Sequence, residues 1–162
     1  MNVQHSPQAG VAARTQKIQF STRLDWLEKT TGILTANDVK DALHIATPQT
    51  FGGPGRDWSP EHLLISAVSG CFMTTYLYFA ARQQLEVTHL TCLATGQVEL
   101  ENGKYIFTGI DLYPKIYVHN EGLIEQAQLL LQKTKAHCLV SNSLRTPVTY
   151  HSEVSKDPHP GS

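Results

Sequence analysis

The sequence predicts an α+β fold with the order βββ-α-ββ-α-β, and three observations lead to this order. An uncharged run, Leu63–Ala81, has the composition of a helix that is buried on nearly every side. The triplet Glu101-Asn102-Gly103 is a strong hairpin signal between two segments of alternating polarity. An apolar stripe with helical spacing follows Asn120 and predicts a second helix.

Three short strands are predicted before the long helix. The segment Lys17–Trp26 alternates in polarity, with Ile18, Phe20 and Leu24 on one face. A turn at Thr31-Gly32 leads into a second strand and makes a hairpin. The stretch ALHIATP is a third strand.

The long helix has a clear start. Ser59 has the character of an N-cap, Pro60 suits the first helical position, and Glu61 is favoured in the first turn. The helix is expected to end at Gln83 or Gln84. After the predicted hairpin, Asn120 caps a second helix, a short helical turn surrounds Cys138, and VTYHSEV is a last strand. The predicted apolar stripe of the second helix consists of Leu123, Ile124, Ala127, Leu130 and Leu131.

Length and composition indicate one domain in a reducing compartment. The chain has 162 residues, and 13 basic against 14 acidic residues leave a net charge of −1 with no basic run. This balance argues against nucleic acid or an anionic membrane as the main partner. Three widely spaced cysteines do not form a secreted disulfide framework, and the N-terminus lacks a signal-peptide pattern. We expect a cytoplasmic domain over residues 17–154, with flexible tails at 1–16 and 155–162.

The uncharged helix also has the length of a membrane span, which is an alternative interpretation. Its serine, threonine and tyrosine residues would then face lipid, so burial inside protein is the favoured interpretation. A single sheet can cover only one side of such a helix. The sequence therefore predicts an intimate homodimer with this helix at its centre.

The three cysteines are the residues best suited to chemistry. Cys71 lies inside the buried helix, where a free cysteine is most often a small hydrophobic residue. Cys92 lies in a predicted strand and is interpreted as a packing residue. Cys138 follows Lys133 and Lys135 and begins a turn, where helical amides lower the pKa of a thiol. Cys71 and Cys138 could form a reversible attacking and resolving pair, although the sequence does not show that they meet.

A family resemblance strengthens that interpretation. The pattern GGPG, WSPEHLL and CF, followed later by CLVSNSL, resembles the osmotically inducible protein C and organic hydroperoxide resistance family over about residues 17–154. Its specific elements are a Pro-Glu pair that opens a helix containing a cysteine, and a second cysteine that precedes a Ser-Asn turn. Both elements are present here, as Pro60-Glu61 with Cys71 and as Cys138 with Ser141-Asn142.

The resemblance implies a thiol peroxidase for oxidative stress defence, with no haem, flavin or metal. It also implies an intertwined homodimer whose central helices are wrapped by antiparallel sheets. In that scheme Cys71 attacks an organic hydroperoxide and becomes a sulfenic acid. Hydrogen peroxide is expected to be a poorer substrate. Cys138 resolves it as a disulfide, and a dithiol reductant, such as a lipoylated protein, restores the pair. Glu61 would act indirectly by holding an arginine near the thiolate, because about ten helical residues place it roughly 15 Å from Cys71 along the axis.

The arginine itself is missing from its usual place in the N-terminal hairpin, whose loop reads LEKTTG. Lys29 could supply the positive charge, though without the planar fork of arginine. Arg23 and Arg56 are other candidates.

A substrate pocket and an alternative function complete the expectations. An apolar pocket for the peroxide could be lined by Phe51, Trp58, Phe72 and Met73, which could equally be ordinary core residues. No spacing typical of a metal site occurs, so none is expected. The alternative function is a non-catalytic protein that binds a small apolar ligand on the same scaffold.

Overall fold

The computed structural model describes residues 17–158, so the predicted N-terminal tail and the end of the predicted C-terminal tail lie outside the described residues. The described chain is an α+β structure, which confirms the predicted fold class. Seven strands and three helices follow in the order β1 (Arg23–Glu28), β2 (Thr31–Thr35), β3 (Leu43–Ala46), α1 (Pro60–Arg82), β4 (Val87–Glu101), β5 (Lys104–Val118), α2 (Ile124–His137), α3 (Leu139–Ser143), β6 (Val148–Tyr150) and β7 (Glu153–Lys156).

The strands form two separate sheets. The first is the antiparallel sheet β1-β2-β3. The second is built on the long β4–β5 hairpin, which closes at Glu101 and Lys104 as the Asn-Gly signal predicts. β6 and β7 both join β5 in parallel. A single bridge between Ile45 and Trp58 links the first sheet to the segment that leads into α1.

The core lies between α1, α2 and the second sheet. Buried residues of α1 pack against the inward face of β5 and against α2, whose predicted stripe supplies Ala127, Leu130 and Leu131. The hydroxyl of Tyr76 is buried in this core and donates to the carbonyl oxygen of Ala127 at 3.1 Å. The largest fully buried apolar side chains include Tyr76, Phe72, Ile110, Leu112, Ile116 and Leu130.

The start of α1 agrees with the sequence prediction. Ser59 is the N-cap, and its hydroxyl accepts from the backbone amide of His62 at 3.3 Å. The imidazole of His62 accepts in return from the backbone amide of Ser59 at 3.4 Å, so that histidine completes a capping box usually made by Glu or Gln. The helix ends at Arg82, with Gln83 as the C-cap.

The N-terminal hairpin differs from the prediction. Its first strand begins at Arg23 rather than Lys17, and its turn lies at Lys29-Thr30 rather than Thr31-Gly32. Lys29 takes the positive φ of 47° that the turn requires. Gly32 lies inside β2 opposite Trp26, where a Cβ atom would approach the Leu24 side chain to 2.9 Å. The glycine therefore permits close packing across the hairpin and does not make its turn.

The C-terminal region differs in two further ways. The predicted last strand is divided into β6 and β7, and both are parallel to β5, whereas wholly antiparallel sheets were expected. β7 extends to Lys156, two residues beyond the predicted end of the domain at residue 154. The second helix starts later than predicted, because a single 3-10 turn, Glu121–Leu123, lies between Asn120 and α2.

One side of α1 is not covered by residues 17–158 of the same chain. Met73, Leu77 and Tyr78 are exposed, whereas Phe72 and Tyr76 on the opposite side are fully buried. The helix is long and apolar enough to cross a membrane by length and composition, a test that the core helix of a soluble protein also passes. Burial on nearly every side was expected with a second chain as cover, so it stays a prediction.

Candidate functional site

Cys71 lies near the middle of α1 and faces the short helix α3. The backbone amide of Val140 points at its sulfur, with a distance of 3.5 Å from N to Sγ. The hydroxyl of Thr75, one helical turn further along, lies 3.9 Å from the same sulfur. The thiol is half-buried, so it combines partial access with several donors.

These donors set the acidity of Cys71. Burial acts to raise the pKa of the Cys71 thiol, because it disfavours the charged thiolate. Hydrogen bonds from the Val140 amide, the Cys138 and Thr75 side chains and the Leu139 amide outweigh burial, so the pKa lies below that of an ordinary thiol. A larger fraction of Cys71 is therefore thiolate near neutral pH, and the thiolate is the nucleophilic form.

Cys138 is the neighbour of Cys71 at this junction. It is fully buried and forms the N-cap of α3, and its thiol interacts with the Cys71 thiol. Burial raises the pKa of Cys138, and a negative charge on Cys71 raises it further. The expectation that the pKa of Cys138 is lowered is wrong, because burial and Cys71 outweigh the lowering effect of the Ser141 amide and hydroxyl. The first two amides of α3, those of Leu139 and Val140, act on Cys71.

A small polar group completes the surroundings of Cys138. The hydroxyl of Tyr150 donates to the Ser141 hydroxyl at 3.0 Å, and Ser141 donates to the carbonyl oxygen of Cys138 at 3.3 Å. The Tyr150 ring packs against Phe72, with 5.8 Å between ring centroids. Burial raises the pKa of Tyr150, and negative charge on either thiol raises it further, so its hydroxyl stays a neutral donor.

Cys92 has a different environment in the β4–β5 ladder. Its strand partner is Pro114, and its thiol is directed to the carbonyl oxygen of Leu93 at 3.6 Å. Burial raises the pKa of Cys92, and one backbone hydrogen bond from Tyr113 opposes that effect only in part. These contacts fit the packing role that the sequence predicts for this residue.

Glu61 lies in the first turn of α1 and does not contact Cys71. One carboxylate oxygen, Oε2, is buried and has no hydrogen-bond partner within residues 17–158. A buried acceptor without a donor is unfavourable, so this oxygen is suited to a partner from outside the described chain.

None of the three candidate cations contacts Cys71 or Glu61 within the described part of the chain. Arg23 is exposed and forms a two-nitrogen contact with Asp25, with a shortest distance of 2.7 Å. Arg56 lies beside Trp58 in a shallow depression before α1. Lys29 lies in the exposed hairpin turn, where its carbonyl oxygen accepts from the Trp26 indole. The described residues of one chain therefore place none of these three cations at the thiol.

The four proposed pocket residues are not brought together in one chain. Phe72 is fully buried and stacks on Tyr76, so it is a core residue and lines no open pocket. Phe51 contacts the ring of Tyr105, and Trp58 lies edge-on to His62. Met73 is exposed on the uncovered side of α1.

Sequence reasoning missed the residues that surround the thiol pair. Thr75 could have been found, because it lies four positions after Cys71 and therefore on the same helix face. The amides of Leu139 and Val140 could not, since any residue supplies an amide and only the packing of α3 on α1 directs them. Tyr150 also gave no signal, because its approach depends on the parallel pairing of β6.

Comparisons with known proteins agree with this architecture. A family model described as OsmC-like protein matches residues 53–153, which is more than half of the chain. Uncharacterized protein YmaD of Bacillus subtilis is 22% identical over 139 residues, which cover 84% of this chain and 93% of that protein.

Solved structures share the fold. An OsmC-like protein of unknown function from Vibrio cholerae has a TM-score of 0.75 at 18% identity, covering 86% of this chain and 100% of its own. An organic hydroperoxide resistance protein from Elizabethkingia anophelis has a TM-score of 0.69 at 20% identity, and the match covers 88% of this chain and 99% of that one. An organic hydroperoxide resistance protein OsmC from Legionella pneumophila has a TM-score of 0.67 at 23% identity, and the match covers 86% of this chain and 99% of that one.

Proposed function

This chain belongs to the OsmC-like protein family, and from that premise we propose that it is a thiol-dependent peroxidase that reduces organic hydroperoxides, and hydrogen peroxide less well. The observation that carries the proposal is the junction of α1 and α3. There the donors around Cys71 lower its pKa, while the Cys138 thiol lies beside it and stays protonated to a higher pH. An acidic attacking thiol next to a less acidic one is the arrangement that two-cysteine peroxide reduction needs.

The proposed reaction has three balanced steps. The Cys71 thiolate attacks one oxygen of the hydroperoxide and breaks the O–O bond, which gives a Cys71 sulfenic acid and an alkoxide that takes up a proton to become the alcohol. The Cys138 thiol then condenses with the sulfenic acid, forming a disulfide and releasing water. An external dithiol reduces this disulfide by two thiol exchanges and becomes a disulfide itself. No cofactor takes part in these steps.

A homodimer is part of the proposal. Support comes from the exposed apolar residues of α1, Met73, Leu77 and Tyr78, and from Leu24 and Trp26 on the first sheet. A second copy packed on these surfaces would bury them, which is favourable by roughly 25 cal/mol for each Å² of apolar surface. It could also bring a cation to the unpartnered oxygen of Glu61, with Lys29, Arg23 and Arg56 as the candidates from the partner chain.

The reductant and the compartment follow from the same chemistry. The cycle consumes a dithiol, and a lipoylated protein is one carrier of that group. A cytoplasmic location agrees with three free thiols, because a reducing compartment keeps the resting pair reduced.

Turnover of cumene hydroperoxide with dithiothreitol tests the proposal. The wild-type protein should consume peroxide continuously, and Cys71→Ser should reduce the rate at least about 100-fold, because it removes the nucleophile. The matched control Cys92→Ser should stay within about twofold of wild type. Equal rates for wild type and Cys71→Ser would show that the proposed function is wrong.

The second candidate function is the binding of a small apolar ligand without catalysis. It is favoured by one observation: no cation contacts Cys71 or Glu61 among residues 17–158. A reduced protein that binds apolar compounds but forms no disulfide with peroxide would support this candidate.

A further inference from the structure

A cleft lies between the last turn of α2, the helix α3 and the segment that leads into β6, and it shares Ser141 and Tyr150 with the surroundings of Cys138. Its volume is about 700 Å³, which lies within the range of small-molecule binding sites. The two-cysteine reaction described above uses none of the charged residues that line this cleft. Its lining therefore requires a separate explanation.

Two positive charges line the cleft without a compensating negative charge. Lys135 enters from α2 and Arg145 from the segment after α3, and no acidic residue belongs to the lining. Within residues 17–158, neither side chain has a carboxylate oxygen within 4.0 Å. The ammonium group of Lys135 lies over the Tyr150 ring, 5.2 Å from its centroid, which holds it on the wall of the cleft.

The remaining lining is of two kinds. Further polar groups come from Asn142, Thr146 and Thr149, and apolar surface comes from Leu144, Pro147 and Val148. Ser141 and Tyr150 also line the cleft, but Ser141 already donates to the Cys138 carbonyl oxygen and Tyr150 to Ser141. A bare inorganic ion would leave this apolar surface unused. A carboxylate attached to a hydrocarbon chain matches both the charge and the apolar wall.

The cleft also touches the thiol environment. Tyr150 and Ser141 line it, and the same two residues form the hydrogen-bonded group at Cys138. We propose that this cleft binds the carboxylate of a small organic acid beside the thiol pair, with Lys135 and Arg145 as the residues that bind the charge. The site goes beyond the proposed peroxidase function and does not depend on it.

The site is tested by calorimetric titration of the protein after reduction with dithiothreitol. Octanoate is the ligand, and octanol is the uncharged control. Octanoate should bind wild type, and the double variant Lys135→Gln/Arg145→Gln should bind it at least about tenfold more weakly, because both charges are removed. Lys133→Gln is the matched control, since Lys133 lies over the Phe79 ring outside the cleft, and it should bind within about twofold of wild type. Octanol should bind more weakly than octanoate.

A second readout locates the bound acid. Saturating octanoate should slow alkylation of Cys71 by iodoacetamide at pH 7 at least about twofold, since a nearby negative charge disfavours the thiolate. Octanol should leave the rate unchanged, and the double variant should lose the octanoate effect. The single variants Lys135→Gln and Arg145→Gln replace the double variant if its circular dichroism shows a folding defect.

Three results would overturn the proposal. They are an octanoate affinity that is equal in wild type and the charge variants, an octanol affinity equal to that of octanoate, and bound octanoate that leaves Cys71 alkylation unchanged. Neither measurement uses a peroxide. Failure of the peroxidase proposal therefore leaves this test intact, and failure of this test leaves the peroxidase proposal intact.

Discussion

The α1–α3 junction and the β4–β5 ladder each hold a half-buried cysteine, and they affect its acidity in opposite directions. At the junction, four donors surround the sulfur of Cys71, and its pKa falls. In the ladder, one backbone donor reaches Cys92, and burial raises its pKa. Similar burial therefore leads to different chemistry, because the number of donors directed at the sulfur decides whether the thiolate is stabilised.

The local cause of this difference is the backbone. Amides inside a β-ladder are already paired with carbonyl groups of the neighbouring strand, so few are free to meet a side chain. The first amides of a helix have no partner inside the helix. α3 directs such amides, those of Leu139 and Val140, at a thiol on another helix.

The largest expected effect is the difference in reactivity between the two thiols. Cys71 should react with iodoacetamide at least about tenfold faster than Cys92 at pH 7, because more of it is thiolate. As the pH rises, the Cys71 rate should reach its plateau at a lower pH than the Cys92 rate, since the pKa of Cys71 is lowered and that of Cys92 is raised. Mass spectrometry of peptides after timed alkylation measures both rates. Alkylation of Cys92 ahead of Cys71 would contradict the comparison.

A smaller effect is expected from removal of one amide. Val140→Pro deletes the N–H that points at Cys71, and this N–H has no partner inside α3. Loss of one hydrogen bond of about 1 kcal/mol should slow Cys71 alkylation at pH 7 about fivefold. Val140→Ala keeps the amide and is the control, with a rate close to that of wild type. Equal slowing in both variants would assign the effect to packing of the Val140 side chain.

The smallest effect is expected at Thr75. Its hydroxyl lies 3.9 Å from the Cys71 sulfur, which is long for a hydrogen bond. Thr75→Val should therefore slow alkylation of Cys71 by about twofold only. Thr74→Val is a matched control, because the Thr74 hydroxyl bonds to the carbonyl oxygens of Gly70 and Cys71 and not to the sulfur. A larger effect at Thr74 than at Thr75 would contradict the described geometry.

The parts of the fold with local signals could be predicted from the sequence. The cap at Ser59, the hairpin at Asn102-Gly103 and the stripe on α2 each depend on residues that are close in the chain. The N-terminal turn was misplaced because Gly32 lies inside β2, close to Leu24, and a sequence does not distinguish a glycine within a strand from one in a turn.

The site was predictable only as a set of cysteines. The sequence indicates Cys71 and Cys138 as the important thiols, but their contact depends on how α3 packs against α1. The predicted direction of the pKa of Cys138 was wrong for the same reason, because packing of α3 on α1 buries Cys138 beside Cys71, and this outweighs the donors from Ser141. Non-local parallel pairing of β6 with β5, which brings Tyr150 to this place, also has no local signal.

Mapping the disulfide that peroxide produces tests the central claim most directly. Reduced protein receives one equivalent of cumene hydroperoxide, and mass spectrometry identifies the cross-linked peptides beside Cys71→Ser and Cys92→Ser. The account predicts a rapid Cys71–Cys138 disulfide in wild type and in Cys92→Ser, and none in Cys71→Ser. Thiols that all stay reduced over minutes, or a disulfide that involves Cys92, would contradict the assignment of the α1–α3 junction as the reactive site.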